Sequence, residues 1–446
     1  MIVPRSRLLF WVAVVVLPFS ILGAFGPATA AVALAAVGGL ALVLIADALG
    51  ARRQLAGLGI EMAAVTRMSK DREAKLELRI RNDRQKGRKV RIGLALPVEI
   101  ESPKEDVEVE LPLQSVWSHF SLSCRPNRRG RYRIDAAYLE TASLLGFWSV
   151  RTKVPLNAEI RVYPNLFNER RKLAALFLHR GVYGTHAQRQ VGKGHEFEKL
   201  REYVPGDGFE DVSWKATARR GRPITKVFQI ERTQEVYVVI DSSRLSARLT
   251  PGAKGHPAAP GLESSITAAL TLGLAAEQQG DLFGLITFSD KVGSFIRAKN
   301  GKAHYHACRD AIYGLQPQIV SPDFDEVCTF IRLRLRRRTL LVFLTSLDNP
   351  ELAASFVKNM EMLRRQHLVM VNMIQPTGVA AVFAGDSVAA SDDLYQRLGG
   401  HLLWQNLREL EKVLQRRGVR FSLVPDERLS VELVSQYLSI KRRQLL

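Results

Sequence analysis

Only three cysteines occur in 446 residues, Cys124, Cys308 and Cys328, an odd number at wide spacings. That excludes a disulfide framework and fits a reducing compartment. No CxxC or HExxH pair is present, so the familiar zinc-site spacings are missing. Acidic residues are scarce: 44 Asp and Glu against 64 Lys and Arg leave a net charge of +20. A surplus of that size favours anionic lipid, nucleic acid or an acidic protein face. In a membrane protein it also follows from the accumulation of basic residues on the cytoplasmic side. The densest basic run, Arg332, Arg334, Arg336, Arg337 and Arg338, has no aromatic interleaving and no nucleic-acid motif. It reads as a solvated helix end, and nucleic acid is not the expected partner. With 46% hydrophobic and 24% charged residues, disorder is not the default, and the length calls for two folded domains plus an anchor.

Two uncharged apolar runs open the chain, Leu8 to Phe25 and Ala28 to Ala46, split by Gly26-Pro27. Each is long enough to cross ~30 Å of hydrocarbon as a helix, with Pro18 tolerated as a kink. Arg5 and Arg7 precede the first run, and Arg52 and Arg53 follow the second. The positive-inside bias therefore places both ends in the cytoplasm and makes residues 1–53 a transmembrane helical hairpin. Ala28-Thr29-Ala30 resembles a signal-peptide cleavage site. A periplasmic protein would need both cleavage there and failure of Ala31 to Ala46 to insert. The expected location is a bacterial-type inner membrane, with the soluble domains cytoplasmic.

Residues 54–165 change to period two. Leu76, Leu78 and Ile80 alternate with Lys75, Glu77 and Arg79, and Val107, Val109 and Leu111 with Glu108 and Glu110. Such alternation marks half-buried strands, and turn material between them predicts a β-sandwich-like domain. Arg128 and Arg129, flanking a turn, read as solvated charge. From 235 to 446 strands alternate with helices. Val236-Tyr237-Val238-Val239-Ile240 has the continuous apolar character of a strand buried on both faces, and the series predicts an α/β domain with a mostly parallel sheet. Ligands in such folds sit beyond the carboxyl ends of the strands, which singles out Asp241, Ser242 and Ser243.

Residues 166–234 read as a basic, glycine-punctuated connector. Glu196, Glu202 and Asp207 are candidate acid–base carboxylates, with Arg201, Lys215 and Arg219 to hold an anion. No nucleophile with a base partner accompanies them, so the preferred reading pairs these charges with one another and buries Trp214 as an anchor. Gly194-x-Glu196-Phe197, Leu200-Arg201-Glu202-Tyr203-x-Pro205-Gly206-Asp207 and Trp214-Lys215-Ala216-x-Ala218-Arg219 together resemble the signature of the domain-of-unknown-function-58 (DUF58) family. Arg128-Arg129-Gly130-Arg131-Tyr132, Leu145-Gly146-Phe147, Val162-Tyr163-Pro164 and the ending Tyr437-Leu438-x-Ile440-Lys441-Arg442-Arg443 support the resemblance. It implies two N-terminal membrane helices, a β-rich region and a doubly wound domain similar to the von Willebrand factor type A fold. It also implies an adaptor role beside an AAA+ ATPase of the MoxR type, in assembling or activating an unknown client protein.

Domains of the von Willebrand A type hold a divalent ion with an Asp-x-Ser-x-Ser loop, a distant Thr and a distant Asp, all hard oxygen donors. Here Asp241 and Ser243 are present, Leu245 takes the third position, and Ser346 sits where an Asp is expected. Ser321 is the candidate for the distant hydroxyl. The expectation is a degenerate metal site, with no cofactor beyond weakly held Mg²⁺. His304 and Cys308 share a helix face while His306 points away, and two ligands do not make a structural zinc site. Three functional readings follow. The first is a membrane-tethered adaptor and not an enzyme. The others are a metal-dependent hydrolase using Asp241 or the connector carboxylates, and a basic membrane-surface or nucleic-acid binder.

Overall fold

The computed structural model describes residues 1–85, 87–104, 106–179, 191–205, 208–229, 234–250, 259–381 and 391–443. The chain forms two compact units, 1–165 and 166–446.

The first unit begins with helices Ser6–Gly23 and Pro27–Ala51, both long and apolar enough to cross a membrane. Pro18 lies inside the first, and Pro27 starts the second, where a missing N–H costs nothing. The helices are apolar all round yet nearly all of their surface is exposed, with only Leu8, Ala33, Asp47 and Ala51 buried. Behind them come two groups of strands. One has Ile2–Pro4, Trp148–Tyr163, Gly130–Ala142, Arg88–Leu94 and Asp106–Leu111 in spatial order, with Val65–Ser69 added to Trp148–Tyr163. The other has Leu58–Met62, Ala74–Asn82, Trp117–Pro126 and Ile100–Glu101. Period-two alternation places Leu78 and Ile80 of one group against Val90, Ile92 and Leu139 of the other in a shared core. Arg129 corrects the sequence reading: only Arg128 is exposed, while Arg129 is buried beside Gly130, whose φ of 151° lies in the region glycine favours.

In the second unit a six-stranded sheet runs Val292–Lys299, Leu282–Phe288, Glu235–Asp241, Leu340–Leu344, Leu368–Ile374, Arg420–Val424. All neighbours pair in parallel except the antiparallel edge strand Val292–Lys299. The edge strand was not evident in the sequence, because three of its eight residues are exposed and four only partly buried, which blurs the pattern. Val236, Val238 and Ile240 pack under helices Gly261–Gln278 and Leu429–Arg443. Tyr237 and Val239 point the opposite way, toward helices Phe324–Arg334 and Pro350–Leu363. Gly284 stands opposite Tyr237, and a Cβ there would meet the phenol ring at 2.4 Å. Its absence lets the Tyr237 hydroxyl reach over to accept from Ala298 N at 3.0 Å.

Among its described residues the basic segment 166–234 contains two helices and a strand pair. Helix Phe167–His179 puts Leu173 and Phe177 into the core of the second unit. Strands Val191–Glu202 and Ile224–Gln229 pair antiparallel, with helix Trp214–Arg220 between them in sequence. The C-terminal helix is fixed by a buried carboxylate: Tyr437 Oη and Lys441 Nζ both donate to Asp281 Oδ2, the lysine at 2.8 Å. Tyr437 and Lys441 belong to the ending motif read in the sequence, and Asp281 is their unforeseen partner.

Candidate functional site

Strand Glu235–Asp241 lies between its two parallel neighbours, Leu282–Phe288 and Leu340–Leu344; the chain leaves it for helix Gly261–Gln278 on one face of the sheet and leaves Leu340–Leu344 for helix Pro350–Leu363 on the other. At that point a cleft of about 650 Å³, its solvent-filled mouth included, opens among Asp241, Leu245, Arg248, Ser265, Thr345 and Asn372. Asp241 forms its floor and is buried. Its Oδ1 accepts from Ser243 N at 2.8 Å, and its Oδ2 from Thr345 Oγ1 at 2.6 Å. Burial pushes the Asp241 pKa up, against the opposing pull of hydrogen bonds from Thr345 and Ser243.

The neighbouring hydroxyls are turned back on the protein. Ser242 Oγ donates to Phe288 O at 2.9 Å and Ser246 Oγ to Ser243 O at 2.7 Å. Ser243 Oγ accepts from Leu245 N at 3.3 Å, and Ser346 Oγ donates to Asp348 Oδ1 at 3.1 Å. Asp348 in turn pairs with Arg248. Leu245 brings an alkyl group to the cleft wall, and Ser321 is exposed and does not line the cleft. The loop thus supplies one carboxylate with both oxygens engaged, and hydroxyls that already have partners. A hard divalent ion wants several oxygen donors and more negative charge than one carboxylate, and Asp241 is the one carboxylate among the described lining residues.

One group in the cleft is unanswered. Asn372 is 2% exposed, and neither its amide nitrogen nor its amide oxygen has a hydrogen-bond partner among the described residues. The sequence carried a signal for it, since Asn372 is the one strongly polar residue in the apolar run Leu368–Ile374. Thr345 and Ser265 were also missed, because their contribution depends on which helix and strand face each other.

The signature residues lie apart from this loop in sequence and differ in character. Arg201 is half-buried on its strand, and Glu202 pairs with Arg222 at 2.8 Å with both side chains largely exposed. Glu196 lies in strand Val191–Glu202, but its side chain is outside the described residues, as is the whole of Asp207. Lys215 and Arg219 are exposed. Trp214 overturns the expectation of a buried anchor: it is 61% exposed, edge-to-face with the 73% exposed Phe209 at 5.4 Å between centroids. The anchoring is done by smaller groups. Ser213 N donates to Ile224 O at 2.7 Å, Ile224 N donates to Thr217 Oγ1 at 3.0 Å, and Val212 and Ile224 are buried. Those bonds fix the start of a short helix and leave the Trp214 side chain exposed.

His304 Nε2 lies 2.7 Å from Phe283 O and 3.5 Å from Cys308 Sγ. Among the described residues no three His, Cys, Asp or Glu side chains gather as a metal site. The three thiols are free and buried, and burial pushes Cys124 up to about 11 and Cys308 up to about 12.

Residues 199–389 match the family described as Protein of unknown function DUF58, the family whose signature the sequence resembles. The uncharacterized protein Rv1480 of Mycobacterium tuberculosis is 23% identical over 210 residues, covering 46% of this chain and 63% of that protein. The chain thus matches less than two thirds of that relative's length. Among solved structures, the conserved hypothetical protein BatB from Bacteroides thetaiotaomicron aligns over 47% of this chain and 99% of its own, at 13% identity and a TM-score of 0.31. The SpRpn10 VWA domain aligns over 46% of this chain and 95% of its own, at 12% identity and a TM-score of 0.29.

Proposed function

We propose, from the DUF58 match over residues 199–389 and the two membrane-competent helices, that this protein is a membrane-tethered interaction protein. The exposed Trp214 carries the reading. A tryptophan that anchors no core, set edge-to-face against the also exposed Phe209 and followed by Lys215, Arg219 and Arg220, has the make-up of an interface hot spot. Its complement is an apolar pocket with an acidic rim. The family resemblance supplies the candidate, a MoxR-type AAA+ ATPase, with the client protein unnamed. The test is affinity capture of the tagged full-length protein from solubilised membranes, compared with Trp214→Ala. Recovery of an AAA+ protein by the parent and not by the variant is the expected result, and equal recovery by both would remove Trp214 from the interface.

The finer architecture belongs to the same proposal. Core residues on both sheet faces and the reversal of strand order beside Glu235–Asp241 support a von Willebrand A-like, doubly wound second unit. Two strand groups sharing one core support a β-sandwich-like first unit. Arg5, Arg7, Arg52 and Arg53 support an inner-membrane hairpin with the soluble units cytoplasmic. An alkaline phosphatase fusion after Leu446 should be inactive, and an active one would reverse the orientation.

We further propose that the Asp241 loop is a degenerate metal site that works without a resident divalent ion. A second reading concerns the cleft itself: the unpaired Asn372 amide suits an amide-bearing segment of the client or partner. Asn372→Val should weaken client capture without changing recovery of the ATPase. A metal-dependent hydrolase has less support, since both oxygens of Asp241 are engaged and Glu202 is paired in solvent. Turnover of generic ester or phosphate substrates, lost in Asp241→Ala, would restore that reading.

A further inference from the structure

The end of the first unit that meets the apolar helices carries side chains its core does not use. Strands Gly130–Ala142 and Trp148–Tyr163 are joined there by the turn 143–147, with Leu144 84% exposed and Leu145 52% exposed at its tip. The turn is tightly built. Ser143 N donates to Trp148 O at 2.8 Å, and Gly146 adopts a left-handed φ of 76°. It is also fastened to both helices. Asp47 Oδ2 accepts from Ser143 Oγ at 2.6 Å, and Asp47 Oδ1 accepts from Leu145 N at 3.1 Å. Trp148 Nε1 donates to Leu44 O at 2.9 Å, and Arg5 N donates to Phe147 O at 2.9 Å.

Those bonds set a depth. Leu44 and Asp47 precede the helix end at Ala51 by four to seven residues, which at 1.5 Å per residue is about 6–10 Å back along the span. Leu44 belongs to the uncharged run that ends at Ala46. The turn is therefore level with the last apolar turn of the helix, where Leu42, Val43 and Ile45 are themselves exposed. Leu113, Val116 and Trp117 are exposed at the same end of the strands, since Arg88 pairs with Leu111 and Arg91 with Glu140. Exposed Arg5, Arg7, Arg52 and Arg53 accompany them.

We infer that the turn 143–147, with Leu144 and Leu145 at its tip, is seated in the acyl–headgroup boundary of the bilayer, making the β-rich unit itself a lipid-contacting element. The inference rests on the reading of the two helices as membrane-spanning. An exposed apolar tip bonded beside a span at the depth of its lipid-facing residues has lipid as its continuous neighbour. The arginines suit anionic headgroups, and Trp117 suits the interface. The hairpin is then a rigid mount that holds the β-rich unit in one attitude to the membrane.

The test places a single nitrobenzoxadiazole label on the full-length protein through Leu144→Cys or Leu145→Cys. The parent thiols, being buried, take up little label. Each labelled protein is reconstituted in phosphatidylethanolamine–phosphatidylglycerol nanodiscs containing doxyl-labelled phosphatidylcholine. Leu17→Cys on the first helix reports spanning, and Val98→Cys, 91% exposed at the opposite end of the strands, reports solvent. The expected result is quenching at residues 144 and 145 comparable to that at 17 and several times that at 98. Quenching at 17 alone would overturn the inference and leave the spanning helices intact. Quenching at none of these sites would overturn both. A label at 144 shielded from lipid quencher and from aqueous iodide alike would show that protein covers the turn, and would also overturn the inference.

Discussion

Beyond the carboxyl end of strand Glu235–Asp241 the polar side chains are turned inward, whereas between residues 200 and 222 large apolar side chains are turned out. Asp241 has both oxygens engaged and the serines around it bond protein atoms, while Phe209 and Trp214 meet solvent and each other. The contrast teaches that a residue's chemical type is a poor guide to its use. A carboxylate among hydroxyls can be a structural clasp, and a tryptophan among charges can be a contact. Burial and hydrogen-bond saturation separate the two cases, because a group already answered within the protein has little left to offer a ligand.

The contrast breaks most readily at Asp241. Replacing it with Ala leaves the Thr345 hydroxyl and Ser243 N without their partner, and should destabilise the protein by about 2–5 kcal/mol. Denaturant unfolding of the full-length protein in detergent measures this. A loss below ~1 kcal/mol would mean that the clasp is not structural.

Acid sharpens the same contrast, because the buried interior should carry the pH dependence. His367 is buried, its Nδ1 lies 3.0 Å from Thr339 Oγ1, and burial holds its pKa down at about 4 against an ordinary 6.5. The unfolded chain takes up that proton first as pH falls. The contribution to stability is therefore full above the unfolded value and is lost between roughly pH 6.5 and 4, amounting to about 3 kcal/mol. His367→Gln should flatten stability over that range, and an unchanged slope would locate the acid-sensitive group elsewhere.

On the outward segment the expected pattern reverses. Trp214→Ala should change stability by less than about 0.5 kcal/mol, as exposed positions do. It should weaken capture of the proposed ATPase partner by about 2 kcal/mol, roughly thirtyfold. A much lower melting point would return Trp214 to the role of an anchor and erase the distinction between the regions.

The smallest effect is expected from metal. Titration calorimetry of the full-length protein with Mg²⁺, Mn²⁺ and Ca²⁺ should give no micromolar binding, because one engaged carboxylate is too little charge for a hard dication. Micromolar binding that disappears in Asp241→Ala would reinstate a metal-mediated contact and make the two regions alike.

How much of this could be read beforehand depended on how local the signal was. Strand Leu368–Ile374 is a continuous apolar run broken only by Asn372, and helix Pro350–Leu363 opens on a proline at its first position with Asn349 as its cap, both local signals. Helix Phe167–His179 was hidden, because Glu169, Arg170, Arg171 and Lys172 made its first turns look like more of the basic connector. The edge strand Val292–Lys299 was hidden for the opposite reason, being neither steadily apolar nor steadily alternating. Nothing within a few residues of Trp214 distinguishes an anchor from a contact, and the same holds for Arg129, which is buried although its neighbour Arg128 is not.

The sequence by itself determined the two apolar helices, the alternating strands of the first unit, and the strand–helix order that brings Asp241 to the end of a central parallel strand. Each follows from periodicity and from the need of backbone polar groups to be answered locally in helix or ladder. Tertiary structure alone decided that Thr345 closes on Asp241, that Asp281 ties down Tyr437 and Lys441, that Asn372 is left unpaired in a cleft, and that Trp214 faces outward. Those outcomes depend on which side chains from distant segments meet. A hydrogen bond between residues 104 apart, as between Asp241 and Thr345, leaves no trace in the pattern around either one.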